Sequence, residues 1–528
     1  MLKGYNLVGQ TESAEGNQFL QAFSTVKQEF LPENFSIATV DETDKAVNKA
    51  VTAFALYKNS TAENRAIFLE TIAEEIIAIG DELIQRAMLE TGLTEARLIG
   101  ERGRTTGQLK LFADLLREGS WIEAVIDTAL PDRKPMPRAD FRKMLVPIGP
   151  VVVFGASNFP FAFSTAGGDT AAALAAGNPV IVKAHASHLG TNELVALAIN
   201  KAAQKCKMPD GVFSFVIGSG AVTGMQLVKH AGVKAVGFTG SYNAGMAIYK
   251  AAVNEREIPI PVYAEMSSIN PVLLLPAKLK QDAIAVATQL AGSVTLGVGQ
   301  FCTNPGLIFL IEDEASGAFI KKLTELLSAA PLATMLNAGI CRSYYENRQT
   351  IAQQNGVTAL FTGDDAGAAY KASAALLQVS AGDFISNPKL QNEIFGPASL
   401  IVKCKDKEEL LLAIESLHGQ LTGSVIADKN DMQNFSNCIS VLTDKVGRVV
   451  YNGVPTGVEV CYAMVHGGPF PSTTDVRSTS VGADAVKRFV RPLCLQDCPA
   501  EFLPDVLKDE NPLHIMRKVN GRYTNKSI

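Results

Sequence analysis

Three short strings in the 528-residue chain set reactive side chains where they could do carbonyl chemistry. In GQFCTNPG (299–306), Cys302 stands among small and turn-forming residues. A carbonyl substrate can approach a thiol held there, and nearby backbone N–H groups can favour its thiolate. In YAEMSSINP (263–271), Glu265 lies just beyond an expected apolar strand. Partial burial at such a strand end raises a carboxylate's pKa towards neutrality and suits it to general-base work. In GASNFPFAF (155–163), Asn158 follows the run VVVFG. Its side-chain N–H₂, aimed at a reacting carbonyl, would be one donor of an oxyanion hole, with the Cys302 backbone N–H as the second. Taken singly, each residue has an ordinary alternative: an inert cysteine, a salt-bridged surface glutamate, an asparagine in a turn.

These residues need a scaffold that brings distant strings together. Residues 42–118 carry helical periodicity, with Ile67, Leu69, Ile72, Ile76, Ile77 and Leu83 set among charged positions. Between Trp121 and Leu145, WIEAVI and FRKMLV flank a proline-rich link and predict a projecting hairpin arm. Short apolar strands then alternate with helices: VVVFG, PVIVKAH, VFSFVIG, AVGFTGS and PVYAEM. Near-continuous apolar strands with helices between them predict a parallel sheet covered on both faces, the doubly wound α/β class, which binds ligands at its strands' carboxyl ends. A second α/β series starts at Pro271 and includes LIFLI, SLIVKC and GSVIA, and FVRPLCLQ reads as a further strand.

Composition narrows the functions. Lys and Arg number 48 against 53 Asp and Glu, a net charge of −5, which argues against a nucleic-acid partner. With 47% hydrophobic and 19% charged residues the chain must bury a large core and is not disordered. Only Asp169 is charged between Lys143 and Lys183, but Pro147, Pro150, Asn158, Pro160 and Pro179 interrupt the stretch, so no membrane span is expected. The start of the chain does not read as a signal peptide, and a cytoplasmic protein is expected. Eight cysteines are too sparse for a disulfide framework; His185 and His188 lack a completing cluster, so no metal site is expected. In GSGAVTG (218–224), Thr223 stands where the dinucleotide fingerprint requires its third glycine.

FGASNFP, VKAHAS, FTGSYNAG, EMSSINP, GQFCTNPG and NEIFGP occur in an order and spacing that resemble the aldehyde dehydrogenase superfamily over roughly residues 40–495. The resemblance implies two doubly wound α/β domains plus a small β oligomerisation arm. Its expected division is a cofactor-binding domain of 1–119 and 148–266, a catalytic domain of 267–484, an arm of 120–147 and 485–500, and a tail of 501–528. It implies Cys302 as nucleophile, Asn158 as oxyanion donor and Glu265 as the base that hydrolyses a thioester. It further implies Lys183 and Glu393 on the two ribose groups of a nicotinamide dinucleotide, with Gly240 and Ser241 in the cofactor loop and Phe159 beside the substrate. Many NAD-preferring relatives carry a glutamate where this chain has Ala186. His185 and Ser187 could instead donate to a 2′-phosphate, so NADP is expected to be preferred and NAD possible.

Further strings, among them ERGRTTGQLKLFA, HGGPFPSTTD and RSTSVG, resemble a branch that oxidises 2,5-dioxopentanoate to 2-oxoglutarate. A broad or long-chain aliphatic aldehyde specificity shares part of this pattern and stays open, as does a non-catalytic cofactor-binding protein; a thioester-releasing relative that uses CoA is disfavoured by Glu265. Arg104 is a candidate partner for an anionic substrate, or a helix-surface ion-pair residue. A homodimer or homotetramer is expected.

Overall fold

The computed structural model describes residues 2–363 and 369–528. Its first sheet runs Val262–Glu265, Ala235–Thr239, Val151–Phe154, Val180–Lys183, Phe213–Val216, Asn6–Val8, Thr11–Ser13 in spatial order. The first five strands are mutually parallel and almost wholly buried, which is why they read as unbroken apolar runs. The chain leaves Val151–Phe154 to one side and returns on its other side with Ala235–Thr239. That reversal opens a crevice at the carboxyl ends, where the Asn158 loop, Gly240 and Glu265 all lie.

The second sheet runs Thr358–Thr362, Ala375–Ser380, Ala398–Cys404, Leu307–Ile311, Pro271–Leu274, Gln420–Ile426, Val446–Tyr451. Only the first pair is antiparallel. Cys302 precedes Leu307–Ile311, so this sheet offers its amino ends to the crevice of the first. The expected fold class, two doubly wound α/β sheets with a smaller β element, is what the protein adopts.

The third, five-stranded sheet pairs Val490–Gln496 with Phe141–Pro147, then Val125–Asp127. Arg517–Val519 and Arg522–Thr524, from the segment set apart as a tail, continue it through parallel pairing with Val125–Asp127. Arg142 fastens that segment: its Nη1 donates to Leu507 O and Asp509 Oδ1, both at 2.6 Å. Val490–Gln496 remains an edge strand with mostly exposed side chains.

Candidate active site

The helix Glu95–Glu118 holds the loop that carries Asn158. Glu101 Oε1 accepts from Phe161 N at 2.9 Å and Ala162 N at 3.1 Å, and Arg97 Nη2 donates to Asn158 O at 2.9 Å. The Asn158 side chain then reaches across the crevice, its Nδ2 donating to Gln300 O at 3.2 Å, two residues before Cys302. The opposite sheet fixes the Cys302 loop through Asn270, whose Nδ2 donates to Cys302 O at 2.8 Å and Asn304 O at 2.9 Å. Asn270 sits at φ 47°, a left-handed conformation that asparagine tolerates better than most residues. Gly299, at φ 65°, lies where a Cβ would meet the backbone of Gly396 at 2.2 Å, so the GQFCT and NEIFGP strings pack backbone to backbone.

Cys302 Sγ lies 3.3 Å from His466 Nε2, and the same nitrogen lies 2.9 Å from Glu265 Oε1. Ser480 Oγ donates to Glu265 Oε2 at 2.5 Å. His466 arrives because residues 472–474 lie along the strand that ends in Glu265: Met266 N donates to Ser472 O at 2.7 Å, and Thr474 N to Ala264 O at 3.1 Å. Ser480 N closes the turn on His466 O at 2.8 Å. Phe163 packs its ring against the imidazole at 6.2 Å. One ligand atom each of Cys302, Glu265 and His466 lies within 4.8 Å of the others, a donor set that could also take a metal ion.

The electrostatics of Glu265 and Cys302 run opposite to the expectation from sequence. Burial alone would raise the Glu265 carboxyl, but the contact with His466 and the Ser480 hydroxyl outweigh it, and its pKa falls below the ordinary value. The Cys302 sulfur is not biased towards thiolate by its surroundings. Burial, followed by the charge of Glu265, pushes the thiol well above its ordinary value. Ionising Cys302 therefore requires a group to take its proton, and His466 is in position to do so.

The remaining expected residues spread along the carboxyl edge of the first sheet. Lys183 ends its strand almost fully buried, and burial lowers its amine to about 8. Burial likewise keeps the His185 imidazole neutral, and its Nδ1 accepts from Ser187 N at 3.1 Å, which leaves the proton on Nε2. Ser187 Oγ accepts from Asn337 Nδ2 at 2.7 Å and so links the two sheets' domains. Ala186 is exposed. Gly240 N donates to Glu265 O at 3.0 Å, while Ser241 caps the helix Tyr242–Asn254. Thr223 fills the space over Gly218, where a Cβ would meet its Oγ1 at 2.0 Å; the turn is closed by a side chain where the dinucleotide fingerprint uses glycine. Glu393 faces Ser267 and Ser268, and burial raises it to about 7. Phe159 packs between Phe163 and Phe301 with its ring steeply inclined to both, ring centroids 5.4 Å from each.

The aldehyde dehydrogenase family profile matches residues 13–491. The chain belongs to the aldehyde dehydrogenase family. Alpha-ketoglutaric semialdehyde dehydrogenase 2 of Azospirillum brasilense is 50% identical over 522 residues, covering 99% of both chains. The alpha-ketoglutaric semialdehyde dehydrogenase of Acinetobacter baylyi is 49% identical over 491 residues, 93% of each chain. Among solved structures, betaine aldehyde dehydrogenase of Staphylococcus aureus in complex with NAD+ shares the fold with a TM-score of 0.80 at 19% identity, covering 94% of this chain and 96% of that one. This aldehyde dehydrogenase is an NAD(P)-dependent oxidoreductase acting on an aldehyde, and among the described residues no helix is long and apolar enough to cross a membrane. Its buried Lys183, with no opposing carboxylate acting on it among the described residues, and the free donor edge of His185 fit the ribose and phosphate groups of a dinucleotide.

His466 was missed as a chemical residue. The string HGGPFPSTTD was legible only as a mark of a branch, although a cysteine nucleophile in a chain with few histidines is itself a reason to seek a histidine partner.

Proposed function

We propose that this aldehyde dehydrogenase oxidises 2,5-dioxopentanoate to 2-oxoglutarate with NADP in preference to NAD. The observation that carries the chemistry is the nitrogen of His466 held between Cys302 Sγ and Glu265 Oε1. The thiol proton passes to His466, and Glu265 faces the imidazolium so formed. The thiolate attacks the aldehyde carbon, and the oxyanion is met by Asn158 Nδ2 and the Cys302 N–H. What the bound nicotinamide supplies is a hydride acceptor. With the hydride gone, Cys302 carries a thioester, and Glu265 removes a proton from the water that hydrolyses it. Ser480 and His466, by holding Glu265 ionised, keep that base ready at neutral pH.

The substrate reading rests on the two relatives of about half-identical sequence, whose names specify that aldehyde. The cofactor reading rests on Ala186, an exposed residue beside His185 and Ser187 with no carboxylate to repel a 2′-phosphate. Lys183 and Glu393 would hold the ribose groups, with Gly240 and Ser241 lining the cofactor loop and Phe159 the substrate passage. The bare edge strand Val490–Gln496 supports assembly into a homodimer or homotetramer, and the proposed setting is the cytoplasm. The domain division proposed is that expected from the sequence, with residues 501–528 now seen to pair with the arm. A kinetic panel of 2,5-dioxopentanoate, pentanal and decanal, each with NAD and NADP, tests the reading. It predicts the highest kcat/KM for 2,5-dioxopentanoate with NADP; a higher value for decanal, or for NAD, would overturn the corresponding half.

A further inference from the structure

The helix Glu95–Glu118 turns Arg97, Glu101 and Arg104 towards the crevice from one face, four and then three residues apart. Two of them are committed. Arg97 donates to Asn158 O and lies 3.9 Å from Glu101, and Glu101 accepts from the Asn158 loop. Arg104 is not. Its guanidinium lies over Phe163 at 5.2 Å and Phe159 at 5.7 Å, and its Nε and Nη2 are buried without a hydrogen-bond partner among the described residues. Those two N–H groups form one edge of the guanidinium, the parallel pair that matches a carboxylate's two oxygens. A buried donor edge left bare costs stability unless something else fills it.

The edge lies close to the chemistry. Phe163, under Arg104, packs on His466, and His466 touches Cys302. An extended five-carbon chain separates its terminal carbons by about 5 Å, so an aldehyde at Cys302 carries its far end about one aromatic ring away. Arg448, on the strand Val446–Tyr451, adds a second cation within electrostatic reach of Cys302. Its Nη1 and Nη2 are spent on Gly457 O at 3.1 Å and Pro455 O at 2.7 Å, and its Nε is buried without a hydrogen-bond partner among the described residues. Glu101 acts on Arg104 through space, followed by Cys302, Glu265 and the exposed Glu459, but none of them forms a hydrogen bond with its Nε–Nη2 edge among the described residues.

We propose that the Nε–Nη2 edge of Arg104 is the receptor for the carboxylate at the far end of the aldehyde substrate. Arg448 supplies a second positive charge and holds the loop at Pro455 and Gly457. This deepens the substrate reading above and rests on Cys302 being the site of aldehyde attack. It assigns preference for an acidic aldehyde to a paired N–H edge, not to a general positive field.

The test compares kcat/KM for 2,5-dioxopentanoate and pentanal. In Arg104→Met the ratio of acidic to neutral aldehyde should fall about 100-fold, through the KM of the acid. Arg104→Lys, a point charge without the paired edge, should keep an intermediate ratio, and Arg448→Met should lower it about 10-fold. Parallel loss on both aldehydes in Arg104→Met, or an unchanged ratio, would overturn the receptor. Calorimetric binding of 2-oxoglutarate to Cys302→Ala needs no turnover and separates the two readings. Binding that Arg104→Met abolishes supports the receptor even where 2,5-dioxopentanoate proves a poor substrate, which would remove only the substrate reading. Absence of 2-oxoglutarate binding to Cys302→Ala would overturn the receptor whatever aldehyde is oxidised.

Discussion

The two ends of the crevice are built on opposite plans. At the sulfur end, polar groups face one another already: Cys302 meets His466, His466 meets Glu265, and Glu265 takes the Ser480 hydroxyl. At the far end, Arg104 rests on aromatic rings with a donor edge bare. The difference teaches which part can be ready before substrate arrives. Proton transfer needs groups preset at fixed distances, whereas recognition of a carboxylate tail needs a donor edge left without a hydrogen-bond partner until the tail supplies one.

The sharpest way to break the sulfur end is Cys302→Ala, which should lower kcat about 10⁴-fold or more while cofactor titration is retained. Retained turnover within 10-fold of wild type, on steady-state assay, would show that the nucleophile lies elsewhere. His466→Gln should lower kcat about 100-fold, the effect expected of losing a positioned proton acceptor. It should also move the ascending, acid-side limb of the rate profile to higher pH. The sign follows from the raised thiol: Cys302 stays protonated below its elevated pKa, and its thiolate grows only as pH rises through it unless His466 accepts the proton. Alkylation of Cys302 by iodoacetamide, followed against pH, checks this, because a rate independent of pH across the neutral and alkaline range would contradict the raised thiol.

Smaller effects are expected away from the two ends. Ala186→Glu, beside His185 and Ser187, should shift the NADP-to-NAD ratio of kcat/KM about 10-fold towards NAD, through repulsion of a 2′-phosphate. An unchanged ratio would mean that the phosphate lies elsewhere. Asn270→Ala removes two hydrogen bonds to the Cys302 loop and asks alanine to adopt φ 47°, so it should cost about 1–3 kcal/mol by denaturant unfolding. No loss would show that the loop is held from its other side, at Gly299 and Gly396.

The strands of both main sheets were legible because burial on two faces makes them continuous apolar runs, as in Val151–Phe154 and Leu307–Ile311. Arg517–Val519 and Arg522–Thr524 were not, being three residues long, of mixed polarity, and strands only by virtue of the arm they join. Cys302, Asn158 and Glu265 each stand in a string whose local turn explains its exposure to the crevice. His466 and Arg448 do not. Their place depends on a loop returning across the Glu265 strand and on carbonyls at 455 and 457, neither of which has a local signature. The pKa directions were missed for the same reason. Expecting a raised Glu265 weighed burial alone, and the groups that reverse it, His466 and Ser480, lie far along the chain.

The covalent route proposed above passes through Cys302, with Glu265 as the hydrolytic base. Its most direct test is the intact and peptide mass of Glu265→Gln after brief mixing with NADP and 2,5-dioxopentanoate. An acyl adduct on the Cys302 peptide is expected, persisting while NADPH forms in a single stoichiometric burst. NADPH formation that continues at the wild-type rate with Cys302 unmodified would contradict it.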